Sequence, residues 1–293
     1  MRMMIFGAGY SGKAIGRLLS GQGASVAGTT RSAEKGVALK VAGIEPFVFD
    51  GTSLTSELEA ALKDVTHLVQ SIAPGADGDP LIRLFGKRGL KAAMPKLEWV
   101  CYLSTVGVYG DHRGAWVDET SELKPVSIRS VERVEAEEAW QRLTTAENVP
   151  LAILRLSGIY GPGRNTFMNL SNGTARRLVK KDQVFNRIRV EDIAEATAFL
   201  AGPKTGGVFN VTDDEPSPPQ DVVTEAARLM GVAPPPEQAF ETAELTPMAR
   251  SFYGENKRVS NAKIKALGFN FRFPNYHMSL EALLASGTWN QKA

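Results

Sequence analysis

Cysteine is almost absent from this chain of 293 residues: Cys101 stands alone. No disulfide can form within the chain, and the surrounding run Trp99-Val100-Cys101-Tyr102-Leu103 predicts a buried thiol. Histidine is scarce as well. His67, His112 and His277 lie far apart without ligand spacing, so no metal site is expected. Neither sign of charge dominates: 34 Lys and Arg stand against 32 Asp and Glu, for a net charge of +2. Without a block of one sign, neither nucleic acid nor a membrane surface is implied as a partner. No apolar run approaches the ~20 residues of a membrane-spanning helix. An apolar strand beginning at residue 3 leaves no room for a leader peptide. A soluble, cytoplasmic protein is the expectation.

What the chain does have is an ordered glycine turn at its start. Met3-Met4-Ile5-Phe6 is apolar and of strand length, and it stops at Gly7-Ala8-Gly9-Tyr10-Ser11-Gly12. Ala14, Ile15, Leu18 and Leu19 then recur at helical period. The spacing G-x-G-x-x-G between a strand and a helix predicts a dinucleotide site. Gly7 permits the tight turn, Gly9 lets a pyrophosphate approach the backbone, and Gly12 lets the helix pack close to the strand. The pyrophosphate would rest on the first helical residues, Tyr10, Ser11 and Gly12, at the positive end of the helix.

Ala24 to Thr30 reads as a second strand, ending about twenty residues past the turn, where the ribose selector of such a site falls. No acid stands there. Thr30-Arg31-Ser32 offers a guanidinium, whose forked donors suit a 2′-phosphate, so NADP is favoured, with NAD as the alternative because Glu34 is near. Pro46 to Asp50 is a third strand, with Asp50 either reaching the adenine or opening a turn with Gly51. His67 to Ser71 is a fourth, and the small-residue loop Ser71-Ile72-Ala73 after it lies where ribose and phosphates would pass. Asp79-Pro80 predicts a helix start, with Asp79 as cap. Trp99 to Leu103 is the fifth strand. The alternation predicts an α/β, Rossmann-type, doubly wound parallel sheet. Pro234-Pro235-Pro236 is the expected boundary between a dinucleotide domain, 1–233 with its core in 1–165, and a small C-terminal lobe, 234–293, which parts of 164–190 would join.

Five further segments occur in a recognisable order. Ser104-Thr105-Val106-Gly107-Val108-Tyr109-Gly110 follows the fifth strand, and then comes Trp116-Val117-Asp118-Glu119-Thr120. Leu154 to Arg164, Arg187-Ile188-Arg189-Val190-Glu191-Asp192-Ile193-Ala194, and Phe209 to Pro216 complete the set. Together they resemble the extended branch of the short-chain dehydrogenase/reductase superfamily, the sugar-nucleotide epimerases and dehydratases. Lys257 to Lys263 resembles the family's late strand and helix start. The resemblance implies that Thr105 orients a substrate oxygen and that Ser104, Leu156 and Ser157 line the cofactor. It implies that the arginines of the second half meet an anionic substrate, with Tyr160, Arg164, Arg189 and Arg250 as candidates. It also implies a homodimer formed through helices that include Ser127–Leu143.

One family feature is missing. Members carry Tyr-x-x-x-Lys on the helix after the fifth strand, the tyrosine acting as general acid/base. Here no tyrosine occurs between Tyr109 and Tyr160, and no lysine between Lys124 and Lys180. Family spacing places Arg129 and Arg133 at those positions. Arg133 can serve as cation and ribose donor, but an arginine does not shuttle protons, its pKa lying above about 12. Tyr109, Tyr160, Glu132 and Glu135 are the remaining candidates for acid/base. The expectation is an NADP-binding oxidoreductase or epimerase acting on a small polar or anionic molecule, a nucleotide sugar among the candidates, with a non-standard acid/base. The alternative is a non-catalytic NADP-binding redox sensor or scaffold.

Overall fold

The computed structural model describes residues 1–246 and 250–291. The chain forms two compact units. The first comprises Met1–Val108, Ile128–Arg155 and Ile193–Phe209; the second comprises Tyr109–Ser127, Leu156–Asp192 and Asn210–Ala293.

In chain order the first elements are β1 (Arg2–Phe6), α1 (Tyr10–Gly21), β2 (Ser25–Thr30), α2 (Ala33–Val41) and β3 (Glu45–Val48). They are followed by α3 (Ser56–Leu62), β4 (His67–Gln70), α4 (Pro80–Phe85), α5 (Leu90–Ala93) and β5 (Trp99–Thr105). Later come β6 (Trp116–Val117), α6 (Ile128–Ala146), β7 (Leu151–Leu156), β8 (Gly158–Tyr160) and α7 (Thr166–Ser171). The rest are β9 (Arg177–Val179), β10 (Arg187–Arg189), α8 (Val190–Ala201), β11 (Gly207–Val211), α9 (Pro219–Met230), β12 (Glu237–Ala239), β13 (Arg258–Val259), α10 (Ala262–Ala266) and α11 (Tyr276–Ala285).

Seven strands form the central sheet in the order β11-β7-β5-β4-β1-β2-β3, the Rossmann-type arrangement that the alternation predicts. β1 pairs in parallel with both β2 and β4. The chain therefore builds outward from β1 to β3, then returns to lay β4 on the other side of β1. That reversal opens a crevice at the carboxyl ends of β1 and β4, the place where open α/β sheets bind their ligands.

The central strands are apolar without alternation because helices cover both faces. Met3, Met4, Ile5 and Phe6 are fully buried, as are Trp99 to Tyr102, with Cys101 among them. Leu58, Leu62, Leu81, Phe85 and Trp140 pack onto one face. Each such side chain contributes about 1.5–3 kcal/mol of transfer free energy. β3 is shorter than Pro46 to Asp50 because Asp50 leaves the ladder: its Oδ1 accepts from Thr52 N and Oγ1 at 2.8 and 2.7 Å. β5 runs past Leu103 to Thr105.

Asp79 caps α4 as its sequence context predicts, Oδ1 accepting from Leu81 N and Ile82 N at 2.8 and 3.2 Å. Burial pushes its carboxyl above the usual range, against the hydrogen bonds from Gln70, Leu81 and Ile82 that pull it down. A raised folded-state value means that this group stabilises the fold most below the ordinary carboxylate range. The contribution is lost as pH rises through the raised value. Asp79→Ala should cost about 1–2 kcal/mol for the lost cap. It should also flatten the pH dependence of stability in that window; urea midpoints measured across pH check both.

Candidate functional site

The glycine turn is held from two sides. Gly7 N donates to Thr29 Oγ1 at 2.9 Å, and Ala8 N donates to Thr29 O at 2.9 Å, so β2 fixes the turn's near flank. Gly7 has φ of 81°, a left-handed conformation that a side chain disfavours. A Cβ there would also lie 2.8 Å from Ile72 Cγ1. At Gly12 a Cβ would lie 2.9 Å from Gly7 O and 3.0 Å from Ile5 Cγ2. Both glycines are thus required by the protein's own packing. Gly9 is different. Its φ is −77°, and a Cβ would meet nothing nearer than Gly7 O at 4.0 Å.

Gly9 is also the N-cap of α1, with no side-chain cap and no acidic residue in the first turn. α2 lacks a side-chain cap as well but carries Glu34 in its first turn. Thr55 caps α3 and Asp79 caps α4 with their side chains. The twelve-residue helix, which opens with Tyr10, Ser11 and Gly12, thus has neither a side-chain cap nor an acid at its positive end, beside a position where only glycine keeps the backbone open. These residues fit a pyrophosphate.

Around this cradle, Thr30 is half-buried at the end of β2, and Arg31 is exposed, with no hydrogen bond or ion pair to the described residues. Asp50 is exposed, and its Oδ1 serves the turn described above. On the other side Ser71 N donates to Phe6 O at 2.9 Å, and Ile72 N to Gln70 Oε1 at 3.3 Å. Gln70, fully buried, also donates to Asp79 Oδ2 at 2.9 Å. One buried amide therefore shapes the Ser71-Ile72-Ala73 loop and ties it to the cap of α4. Thr29 and Gln70 escaped the sequence reading. Each is a polar residue near the carboxyl end of its strand, next to the turn it holds.

At the end of β5, Ser104 turns inward. Its Oγ donates to Glu137 Oε1 at 2.5 Å, and Arg155 grips the same carboxylate through Nε and Nη2, the latter at 2.7 Å. All three residues are at most 5% exposed. The group clamps α6 to β5 and β7. Thr105 Oγ1, half-buried, accepts from Gly107 N at 3.1 Å. Arg133 is half-buried, and its Nη1 donates to Leu103 O and lies 3.5 Å from Tyr102 Oη. Arg129, one turn earlier, is exposed, as is Glu135. Thr105 ends β5, and Arg133 reaches the same strand two residues earlier, on the same unit as the glycine turn. Tyr102 is fully buried, and burial drives its phenol well above the usual range.

In the second unit Tyr109 is fully buried and donates to Asn210 Oδ1 at 2.7 Å. Leu156 and Ser157 are buried there too, Ser157 N donating to Val211 O at 3.3 Å. Arg189 is saturated. Glu191 takes its Nε and Nη2, Ser279 takes Nη1 at 3.0 Å, and Phe273 lies 4.1 Å beneath the guanidinium. Arg164 is exposed, and Arg250 sits over the Phe240 ring at 5.0 Å while donating to Ala243 O. The four substrate candidates do not converge: only Tyr160 and Arg189 are neighbours, opposite each other on β8 and β10. Among the described residues no group of histidine, cysteine and acid side chains has the arrangement of a metal site, and no helix is long and apolar enough to cross a membrane.

Comparison with known proteins places this geometry. Residues 3–212 match the model of the NAD dependent epimerase/dehydratase family. A conserved protein of unknown function from Silicibacter pomeroyi has a solved structure that is 46% identical, with a TM-score of 0.89 over 97% of this chain and 98% of that one. A Methylobacillus flagellatus structure described as an NAD-dependent epimerase/dehydratase is 28% identical, with a TM-score of 0.70 over 98% of each chain. Protein YeeZ of Escherichia coli K12 is 25% identical over 94% of this chain and 97% of its own length.

Proposed function

This chain belongs to the NAD-dependent epimerase/dehydratase family, and we propose that it binds NADP and acts as an oxidoreductase or epimerase on a small polar or anionic molecule. The observation that carries the proposal is the bare α1 start beside Gly9, open where Gly7 and Gly12 are closed by packing. Tyr10, Ser11 and Gly12 would hold the pyrophosphate, and Ser71, Ile72 and Ala73 would border the crevice. Arg31, exposed and without a partner among the described residues, would take the 2′-phosphate; Thr30 stands beside it. A bound nicotinamide supplies hydride transfer. The chain's own part is to orient the reacting oxygen, a role that suits the Thr105 hydroxyl, whose lone pair serves Gly107 N while its proton stays available. Arg133 holds a fixed positive charge at the strand end and moves no proton.

Arg31→Asp should weaken NADP binding by about 1.5–3 kcal/mol, the worth of a hydrogen bond to a charged group. NAD affinity should hardly change. Fluorescence titration with NADPH and NADH measures both; an equal loss for the two would remove Arg31 as selector. Activity is tested by NADPH oxidation against a panel of carbonyl compounds and nucleotide sugars.

A second reading is favoured by the vacant acid/base positions, since Arg129 is exposed and Arg133 is tied to Leu103 O. It makes the chain a non-catalytic redox sensor or scaffold, distinguishing NADP from NADPH and passing the difference to a partner. A ligand shifts such an equilibrium only by its differential affinity. Equal partner binding by the NADP and NADPH forms would end this reading.

A further inference from the structure

The second unit contains a polar group that its own fold leaves incomplete. Tyr160 on β8 lies opposite Arg189 on β10. Arg187, two residues before Arg189, projects to the same side. The Arg187 guanidinium is held by Nη1 alone, which donates to Phe185 O at 3.0 Å, Ser217 O at 3.2 Å and Ser217 Oγ at 2.8 Å. Its Nε and Nη2 have no hydrogen-bond partner among the described residues. Asp213 follows β11, its N donating to Arg187 O at 2.8 Å. Asp213 is 1% exposed, yet its Oδ2 has no partner; the buried Tyr160 hydroxyl has none within hydrogen-bond geometry, the Ser279 side chain being its neighbour. The three groups lie within one electrostatic neighbourhood, but no direct ion pair joins Arg187 to Asp213 among the described residues. Buried polar atoms are rarely left unpaired, and several left so together mark the place of atoms that the fold does not supply.

We propose that Arg187, Tyr160 and Asp213 form a socket for a small oxyanion, a carboxylate or a phosphate group of the substrate. Two guanidinium nitrogens on one edge match two oxygens of such a group. The phenol supplies a further O–H. Burial pushes the Asp213 carboxyl well above its ordinary range, which weakens the repulsion it would offer an anion. The inference deepens the functional reading above, from which it takes only that the substrate is polar or anionic.

The test uses Tyr160→Phe, which deletes a hydroxyl that makes no hydrogen bond of good geometry within the fold and leaves the Arg187 contacts intact. Thermal unfolding is followed with inorganic phosphate, and separately with acetate, against chloride at equal ionic strength. NADPH is present in one series so that anion binding at the α1 start is not counted. The full-length wild type should be stabilised by at least one of the two anions beyond the chloride control. Tyr160→Phe should be as stable as wild type without anion and should need roughly fivefold more of that anion for the same shift, as for one lost hydrogen bond to a charged group. A response to phosphate alone or acetate alone identifies which source the socket takes. No response beyond chloride, or the same dose dependence in both proteins, would overturn the socket. NADPH binding is read independently by fluorescence, so failure of the dinucleotide reading and failure of the socket give different results.

Discussion

Gly9→Ala is expected to fold as well as the wild type and to lose its dinucleotide. Gly9 has a negative φ of −77°, and the added methyl meets no protein atom nearer than 4.0 Å. Packing therefore gives the folded chain no reason to notice it. A pyrophosphate lying against that backbone would be displaced, with a loss of about tenfold or more, or at least about 1.4 kcal/mol. Gly12→Ala makes the contrast. Its Cβ would press on Gly7 O at 2.9 Å and Ile5 Cγ2 at 3.0 Å, so α1 must move off β1. Overpacking of this kind costs about 1–3 kcal/mol of stability. Urea denaturation and NADPH titration of both variants decide the matter. If Gly9→Ala binds NADPH as tightly as wild type, nothing approaches the turn and the proposed cofactor site is wrong.

Glu137→Ala should be the most damaging single change among the clamp residues. It leaves Arg155 buried without its carboxylate and Ser104 without an acceptor. Removing one partner of a buried ion pair costs about 3–5 kcal/mol, a large share of the roughly 5–15 kcal/mol that holds a domain together. Ser104→Ala removes only a hydrogen bond and should cost about 1 kcal/mol. Because the two residues share one network, the double variant should lose less than the sum. Strict additivity would mean that the hydroxyl and the ion pair act separately. The clamp holds α6 against β5, so Glu137→Ala should also loosen Arg133 from Leu103 O.

Much of this fold is readable from the chain, for a physical reason. Parallel strands buried on both faces leave unbroken apolar runs, and the helices between them carry their own caps, as Asp79-Pro80 does. The glycine turn is equally local: strand, three spaced glycines and helix occupy adjacent residues. The polar networks are not local. Glu137 sits among other acids in Glu135-Ala136-Glu137-Glu138 and differs from them only by facing Arg155 across the fold. Arg155 does interrupt an apolar strand, which is a signal, but not one that names a partner.

The same limit affects the arginines of the second half. Spacing gives Arg187 and Arg189 identical standing on β10. The fold separates them, because Glu191, Ser279 and Phe273 satisfy Arg189 while two nitrogens of Arg187 stay open. Tyr109 and Tyr160 differ in the same way: Asn210 accepts from the first hydroxyl, and nothing described accepts from the second. Residue type announces hydrogen-bonding capacity. Only the neighbours, often a hundred residues away, decide whether any of it is spare.

The threonine that braces the opening turn has one more effect. Because Thr29 ties Gly7 and Ala8 to β2 within the protein alone, a dinucleotide bound as proposed would find the loop already shaped. A receptor that exists mostly in the competent form binds at its intrinsic affinity, whereas a slack one is weakened in proportion to the time it spends misshapen. Under the proposed reading, tightness of binding at the first glycines would thus be partly set in a neighbouring strand, by a hydroxyl that need never touch the guest.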